Sequence, residues 1–139
     1  MVGASDPVRV RALLRANDNI VLLDPATNNL DVLDRAEAVV TVNSKSGAEA
    51  LMLNRPVIVL GDAFYRGGPQ VKAVDALREL PELLRDPAGL PRATPEEARS
   101  FFQAVWERSY PGELYSEAGN NPATFAASLS AQLASNRPA

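Results

Sequence analysis

Short apolar runs alternate with helical patterns through the first half of the chain. Three largely apolar runs indicate strands that are covered on both faces, at residues 20–23, 38–42 and 56–60. Apolar residues at helical spacing predict helices before and between these strands, at residues 6–16, 29–36 and 46–53. Strands that alternate with helices in this way indicate right-handed βαβ units and a parallel sheet.

The second half of the chain has helical periodicity without strand signals. It predicts helices at residues 71–85, 94–109 and 122–135. The second of these begins with the residues Thr-Pro-Glu-Glu, which supply an N-cap, a proline at the first position and acids in the first turn. The aromatic side chains in this helix and directly after it lie at helical spacing and are expected in the core. They are Phe101, Phe102, Trp106 and Tyr110.

These elements predict an α/β fold. We expect a three-layer, Rossmann-like parallel sheet of about three strands, followed by a helical C-terminal region. A doubly wound domain usually has roughly five or six strands, so this sheet is expected to be truncated. We assign residues 1–87 to the Rossmann-like part and residues 88–139 to a helical extension that packs on the same domain.

The amino-acid composition restricts the possible chemistry of the chain more than it restricts the possible folds. The chain has no cysteine and no histidine, which excludes disulfides and thiolate metal sites and removes the commonest general base. A net charge of −3 with scattered basic residues argues against a nucleic-acid partner. No apolar run approaches the length of a membrane span, and the N-terminus lacks the apolar core of a signal peptide. We therefore expect a cytoplasmic chain.

The most informative residues are 43–47, where the second predicted strand leads into a helix. Ligands of open α/β sheets bind at the carboxyl ends of the strands, and helix N-termini attract anions. The candidate ligand-binding residues in this turn and the following helix are Asn43, Ser44, Ser46, Gly47 and Glu49. The free backbone amides at residues 46–48 and the two serine hydroxyls would surround a phosphate, and Glu49 would accept hydrogen bonds from ribose hydroxyls.

A purely structural interpretation of the same turn stays open. Ser46 and Glu49 have the spacing of a capping box, in which Ser46 caps a backbone amide and Glu49 bonds back to the Ser46 amide. The two interpretations compete, because a carboxylate that serves as a cap is less free to bind a ribose.

Three more residues are secondary candidates. Lys45 would neutralise a phosphate, unless it is only a solvated lysine in a turn. Asp62 and Tyr65 follow the third predicted strand and complete the same edge of the sheet, where an aromatic residue would either close the pocket or pack beneath the glycine loop. The sequence has no Walker loop, no dinucleotide fingerprint and no metal-ligand spacing, so neither a metal nor a cofactor is predicted.

Residues 39–65 resemble the capsular polysaccharide biosynthesis family, whose members include the Kdo transferases of bacterial capsule assembly. The resemblance rests on Asn-Ser-Lys-Ser-Gly-Ala-Glu-Ala-Leu at residues 43–51, Pro-Val at 56–57 and Gly-Asp-Ala-Phe-Tyr at 61–65. It extends more weakly over residues 6–85. The family is similar to GT-B glycosyltransferases, which have two Rossmann-like domains and hold the donor nucleotide mainly in the carboxyl-terminal one.

The resemblance implies a donor-binding role in capsular or surface polysaccharide biosynthesis. Ser44, Ser46 and Gly47 would contact the phosphate of a nucleotide-sugar donor that resembles CMP-Kdo, and Glu49 would contact the ribose. The catalytic carboxylate is expected in an amino-terminal acceptor domain that this chain lacks, so the chain is expected to be inactive alone. The full-length protein would act at the inner face of the membrane, with peripheral attachment.

Two alternatives and one association remain open. A sugar-nucleotide epimerase has a similar serine, glycine and glutamate turn, although the Gly-Asp-Ala-Phe-Tyr exit favours the transferase. A non-catalytic α/β interaction module would need the turn only as a capping box. An open edge of a truncated sheet would also favour a homodimer.

Overall fold

The computed structural model describes residues 7–113 and 117–135. Over these residues the helices are α1 (Pro7–Ala16), α2 (Asn29–Arg35), α3 (Lys45–Met52), α4 (Leu80–Arg85), α5 (Pro95–Glu107) and α6 (Asn121–Ser135). The strands are β1 (Val39–Thr41), β2 (Val57–Val59) and β3 (Val71–Ala73). They form one parallel sheet in the order β1-β2-β3. The predicted α/β class, with a parallel sheet followed by C-terminal helices, is confirmed.

The central strand β2 is covered on both faces, which makes the fold three-layered. Val57 and Val59 belong to a core cluster with Ala50 and Leu51 of α3 and with the buried Tyr65. On the opposite face, Ile58 packs with Val74 and Leu90, and the half-buried Leu80 and Leu83 of α4 cover them. Each fully buried valine or isoleucine contributes about 1.5–3 kcal/mol, so this strand anchors the sheet.

The strand predicted at residues 20–23 is wrong. These residues are in neither strand nor helix, and their side chains are between 44% and 76% exposed. A parallel strand requires a neighbouring strand that accepts and donates backbone hydrogen bonds along its whole length. Within the described residues, the sheet ends at β1 and no strand pairs with its outer edge. The apolar run is therefore irregular in its backbone and exposed at its side chains.

The helix predicted at residues 71–85 is wrong over its first part. Residues Val71–Ala73 form β3, residues Leu77–Glu79 form a single 3₁₀ turn, and only Leu80–Arg85 is α-helical. The backbone of Val57 donates to the Gln70 carbonyl at 3.0 Å, and Val74 donates to the Val59 carbonyl at 3.0 Å. Pairing with the buried strand β2 decides this segment because tertiary contacts outweigh local propensity.

A tight C-terminal motif ends α3 and sets the start of β2. Asn54 adopts a left-handed conformation with φ of 57°. Its amide donates to the Leu51 carbonyl at 3.1 Å, and the Arg55 amide donates to the Ala50 carbonyl at 2.9 Å. These are the two bonds of a Schellman motif, and the following Pro56 prevents the helix from continuing.

The other predicted helices are found within two residues of their expected ends. Helix α5 begins with a full capping box between Thr94 and Glu97. The Glu97 carboxylate accepts hydrogen bonds from both the Thr94 amide and the Thr94 hydroxyl. These two bonds lower the pKa of Glu97, the amide having the larger effect and the hydroxyl the smaller one. No helix of the described residues is both long enough and apolar enough to cross a membrane.

Candidate functional site

The turn between β1 and α3 is fixed by hydrogen bonds that converge on Ser44. This residue is the N-cap of α3, and its hydroxyl oxygen accepts the Ser46 amide at 3.2 Å. Its own amide donates to the Thr41 hydroxyl at 3.1 Å. Its carbonyl accepts the Gly47 amide at 3.0 Å and the Tyr65 hydroxyl at 2.6 Å. The turn is thus preorganised at the carboxyl end of β1, where the sequence predicts a ligand.

The capping box predicted for Ser46 and Glu49 is not formed. Helix α3 begins at Lys45, one residue earlier than predicted, so Ser44 takes the capping position. Consequently the Ser46 amide bonds to Ser44, and the Glu49 carboxylate bonds elsewhere. The Ser46 and Gly47 amides, which the sequence predicts to be free, both have partners within the turn. The groups at this site that can bind a ligand are therefore mainly side chains.

The partner of Glu49 is Asn29, the first residue of α2. The Asn29 Nδ2 atom donates to the Glu49 Oε2 atom at 2.7 Å and to the Ser46 hydroxyl oxygen at 3.2 Å. Asn28 is the N-cap of α2, and its side chain accepts the Leu30 amide at 2.9 Å. Asn29 is not among the residues that the sequence pattern singles out. The sequence does contain a signal for Asn29. The start of a helix needs only one capping asparagine, and the start of α2 has two in succession.

Ser46 and Glu49 are half-buried, whereas the neighbouring Lys45 is exposed. Among the described residues, Lys45 has no ion-pair partner. The first turn of α3 also carries the positive end of the helix dipole. The arrangement combines a cation and a hydroxyl, which suit an anion, with a carboxylate, which suits a hydroxyl-bearing ligand.

Gly47 and Tyr65 form the buried base of the site. A Cβ atom at Gly47 would lie 2.3 Å from the Tyr65 hydroxyl oxygen, so only a glycine allows this approach. Tyr65 is 1% exposed, and its ring is part of the core cluster. Burial raises the pKa of Tyr65 above its ordinary value of 10.0, and a hydrogen bond with the Thr41 side chain opposes this shift. Both residues support the turn from its buried side. Phe64, the neighbour of Tyr65 in the loop after β2, is exposed instead.

Asn43 and Asp62 are exposed at the edge of the sheet. The Gly61 amide donates to the Val42 carbonyl at 3.0 Å, which places the residues after β2 beside those after β1. Arg66 holds this second loop, since it donates to the Gly61 carbonyl at 2.9 Å and pairs with Asp75. The two predicted loops therefore meet at one edge, as expected for parallel strands.

An apolar groove adjoins the turn, which we call the α3–α5 groove. Its volume is about 650 Å³, and its charged lining residues are Lys45 and Glu49. Its apolar lining residues include Leu30, Met52, Phe64, Phe102, Val105 and Trp106. The expectation that Phe101, Phe102, Trp106 and Tyr110 all belong to the core is wrong in part. Phe101 and Phe102 pack on the core cluster, whereas Trp106 is 81% exposed and Tyr110 is 55% exposed.

Among the described residues, no group of three or more acidic, cysteine or histidine side chains is placed to hold a metal ion.

Comparison with known proteins finds a match to a family model. Neither a curated protein nor a solved structure matches the chain. A family model described as capsule polysaccharide biosynthesis protein matches residues 10–69. The matched segment runs from α1 to the loop after β2 and contains Asn29, the turn and Glu49. This segment, which is less than half of the chain, is therefore similar to the capsule polysaccharide biosynthesis family.

Proposed function

We propose that this chain is the donor-binding portion of a glycosyltransferase of capsule or surface polysaccharide biosynthesis, with a CMP-sugar as its ligand. The observation that carries the proposal is the pair of Ser46 and Glu49, held together by Asn29 beside Lys45 at the start of α3. The family match over the same residues supports the choice of reaction class.

The phosphate of the nucleotide would bind at Lys45 and Ser46. Because the Ser46 oxygen already accepts a hydrogen bond from Asn29, its hydroxyl hydrogen is left to donate to a phosphate oxygen. The lysine and the helix dipole supply positive charge, so this mode of binding needs no metal ion. Ser44 contributes by capping α3, Gly47 by admitting Tyr65, and Asn43 and Asp62 would lie at the rim.

The ribose would bind at Glu49. An ionised carboxylate only accepts hydrogen bonds, and a ribose offers two hydroxyl donors. The α3–α5 groove begins at Glu49 and has a volume typical of small-ligand sites, for which roughly 300–1,000 Å³ is usual. The exposed faces of Phe64 and Trp106 in this groove suit a planar base.

Catalysis would require a second domain. We propose that an amino-terminal acceptor domain supplies the catalytic carboxylate and the acceptor site, and that this chain binds the donor without turning it over. The non-catalytic module remains the alternative, and under it the turn would need no more than the cap that Ser44 supplies.

Amide chemical shifts test the proposal directly. CMP, UDP and ADP are titrated separately into the uniformly labelled chain. We expect CMP to shift the amides of residues 43–49 and 61–64 at lower concentrations than UDP or ADP, and to leave those of α6 unchanged. Shifts confined to other regions, or no shift with any of the three nucleotides, would contradict a donor site at α3.

A further inference from the structure

We infer that Asn29 is the positioning residue that makes the site selective for a ligand with ribose hydroxyls, an inference that rests on the proposed nucleotide site. Its Nδ2 atom contacts both Ser46, at 3.2 Å, and Glu49, at 2.7 Å. Among the described residues, no other side chain bonds to this carboxylate. Asn29 therefore decides where the carboxylate lies and which of its lone pairs stay available.

The amide is oriented by its partners. A primary amide nitrogen carries two hydrogens, which matches two acceptors on adjacent turns of α3. The opposite orientation would direct the Asn29 carbonyl oxygen at the Glu49 carboxylate, and two acceptors repel each other. The charge of Glu49 thus fixes the orientation of Asn29, and Asn29 in turn fixes the rotamer of Glu49.

This orientation assigns opposite roles to the two residues that it joins. The Ser46 oxygen accepts from Asn29, so its hydrogen is free to donate to an anion. One oxygen of Glu49 is occupied, and the carboxylate keeps other lone pairs that can only accept. A ligand that fits both must present an acceptor at Ser46 and hydroxyl donors about one helical turn away. A phosphorylated ribose satisfies this pattern, whereas a deoxygenated sugar does not.

Asn29 is not what holds α2 in place. Leu33 of α2 is 5% exposed within the core cluster that also contains Leu51. The carboxylate of Asp34 pairs with Arg55 at 3.0 Å, which ties the end of α2 to the end of α3. Since these contacts are remote from the turn, replacing Asn29 leaves the packing of the two helices in place and changes mainly Glu49.

The experiment compares CMP with 2′,3′-dideoxy-CMP, which lacks both ribose hydroxyls. Calorimetric titrations use the wild type, Asn29→Leu and the double variant Asn29→Asp/Glu49→Gln. For the wild type we expect CMP to bind about tenfold or more tightly than the dideoxy nucleotide, as for a hydrogen bond to a charged group. For Asn29→Leu this ratio falls to about threefold or less, while dideoxy-CMP binding changes little.

The double variant separates positioning from structural support. It restores a hydrogen bond between positions 29 and 49 with donor and acceptor exchanged, but moves the carboxylate from position 49, where the ribose would bind, to position 29. We expect its melting temperature to be closer to the wild type than that of Asn29→Leu, without recovery of the CMP preference. Recovery of both would show that Asn29 acts only as a structural tie and would overturn the inference.

The remaining outcomes are also decisive. If the wild type prefers CMP and Asn29→Leu keeps the same preference, the inference fails and the proposed function stands. Equal losses for both nucleotides in Asn29→Leu would also overturn it, because a positioning residue acts on the hydroxyl contact. A wild type that binds neither nucleotide would overturn the proposed function, and this inference with it.

Discussion

The Tyr65 hydroxyl donates a hydrogen bond of 2.6 Å to the Ser44 carbonyl and so joins the loop after β2 to the turn before α3. The same carbonyl accepts the Gly47 amide at 3.0 Å. A core side chain thus determines the backbone of the residue that caps α3. The geometry of the candidate site therefore depends on a residue that a bound ligand would not touch.

Removing this hydroxyl should cost stability. We expect Tyr65→Phe to lower the free energy of unfolding by about 1 kcal/mol, the usual value for one hydrogen bond. The loss stays modest because the Ser44 carbonyl keeps its bond from Gly47. Urea unfolding measures the change, with Tyr110→Phe as the matched control, since Tyr110 is 55% exposed. Equal stability of Tyr65→Phe and the wild type would contradict a supporting role for the hydroxyl.

The same tyrosine predicts a loss of stability in alkali. Burial raises the pKa of Tyr65 above 10.0 in the folded chain, whereas the unfolded chain releases this proton near its ordinary value. Below pH about 10 both states keep the proton, and the contribution to stability is constant. Above it the unfolded state binds fewer protons, so the free energy of unfolding falls as the pH rises through the folded pKa. Unfolding curves measured between about pH 8 and about pH 11 should show a steeper decline in the free energy of unfolding for the wild type than for Tyr65→Phe. Parallel declines would show that another group is responsible.

Gly47 should not tolerate a side chain. A Cβ atom there would lie 2.3 Å from the Tyr65 hydroxyl oxygen and 2.5 Å from its ring. We expect Gly47→Ala to destabilise the chain by about 1–3 kcal/mol, as overpacking does elsewhere. Gly67→Ala is the control, because a Cβ atom at Gly67 has no neighbour within 4 Å. Thermal unfolding compares the two, and similar melting temperatures would refute the close approach of Tyr65.

The sequence predicts the loops at the candidate site better than it predicts the strands that carry those loops. The turn after β1 and the loop after β2 are found where expected, because glycine and small polar residues mark them locally. The apolar run at residues 20–23 has the composition of a strand, but strand formation depends on a pairing partner that composition does not encode. Conversely, β3 is three residues long and is determined by β2, so its local helical pattern is misleading.

The side-chain contacts of the site are less predictable than its backbone. The spacing of Ser46 and Glu49 fits a capping box, and only a one-residue difference in the start of α3 removes it. Asn29 reaches Glu49 from another helix, across twenty positions of sequence. Helical spacing likewise could not distinguish Phe102, which packs on the core, from Trp106, which is exposed in the α3–α5 groove.

Trp106 should contribute to nucleotide binding with little effect on stability. Because it is 81% exposed, Trp106→Ala is expected to change the free energy of unfolding by less than about 0.5 kcal/mol. Loss of a base-stacking face should weaken CMP binding by about 1–3 kcal/mol. Leu133→Ala on α6, also exposed, is the control. As this is the single tryptophan of the chain, quenching of its fluorescence by CMP gives a second readout. Unchanged fluorescence and affinity would place the base outside the groove.

Glu49 distinguishes a ligand site from a purely structural turn most directly. Calorimetric titration of CMP is compared for the wild type, Glu49→Gln and the control Glu96→Gln, whose side chain is exposed on α5. We expect Glu49→Gln to weaken CMP binding by about 1–3 kcal/mol, because a charge-assisted hydrogen bond to the ribose is lost. Its melting temperature should stay near that of the wild type, since a glutamine oxygen still accepts from Asn29. A lower melting temperature with unchanged CMP affinity would contradict the proposed donor site.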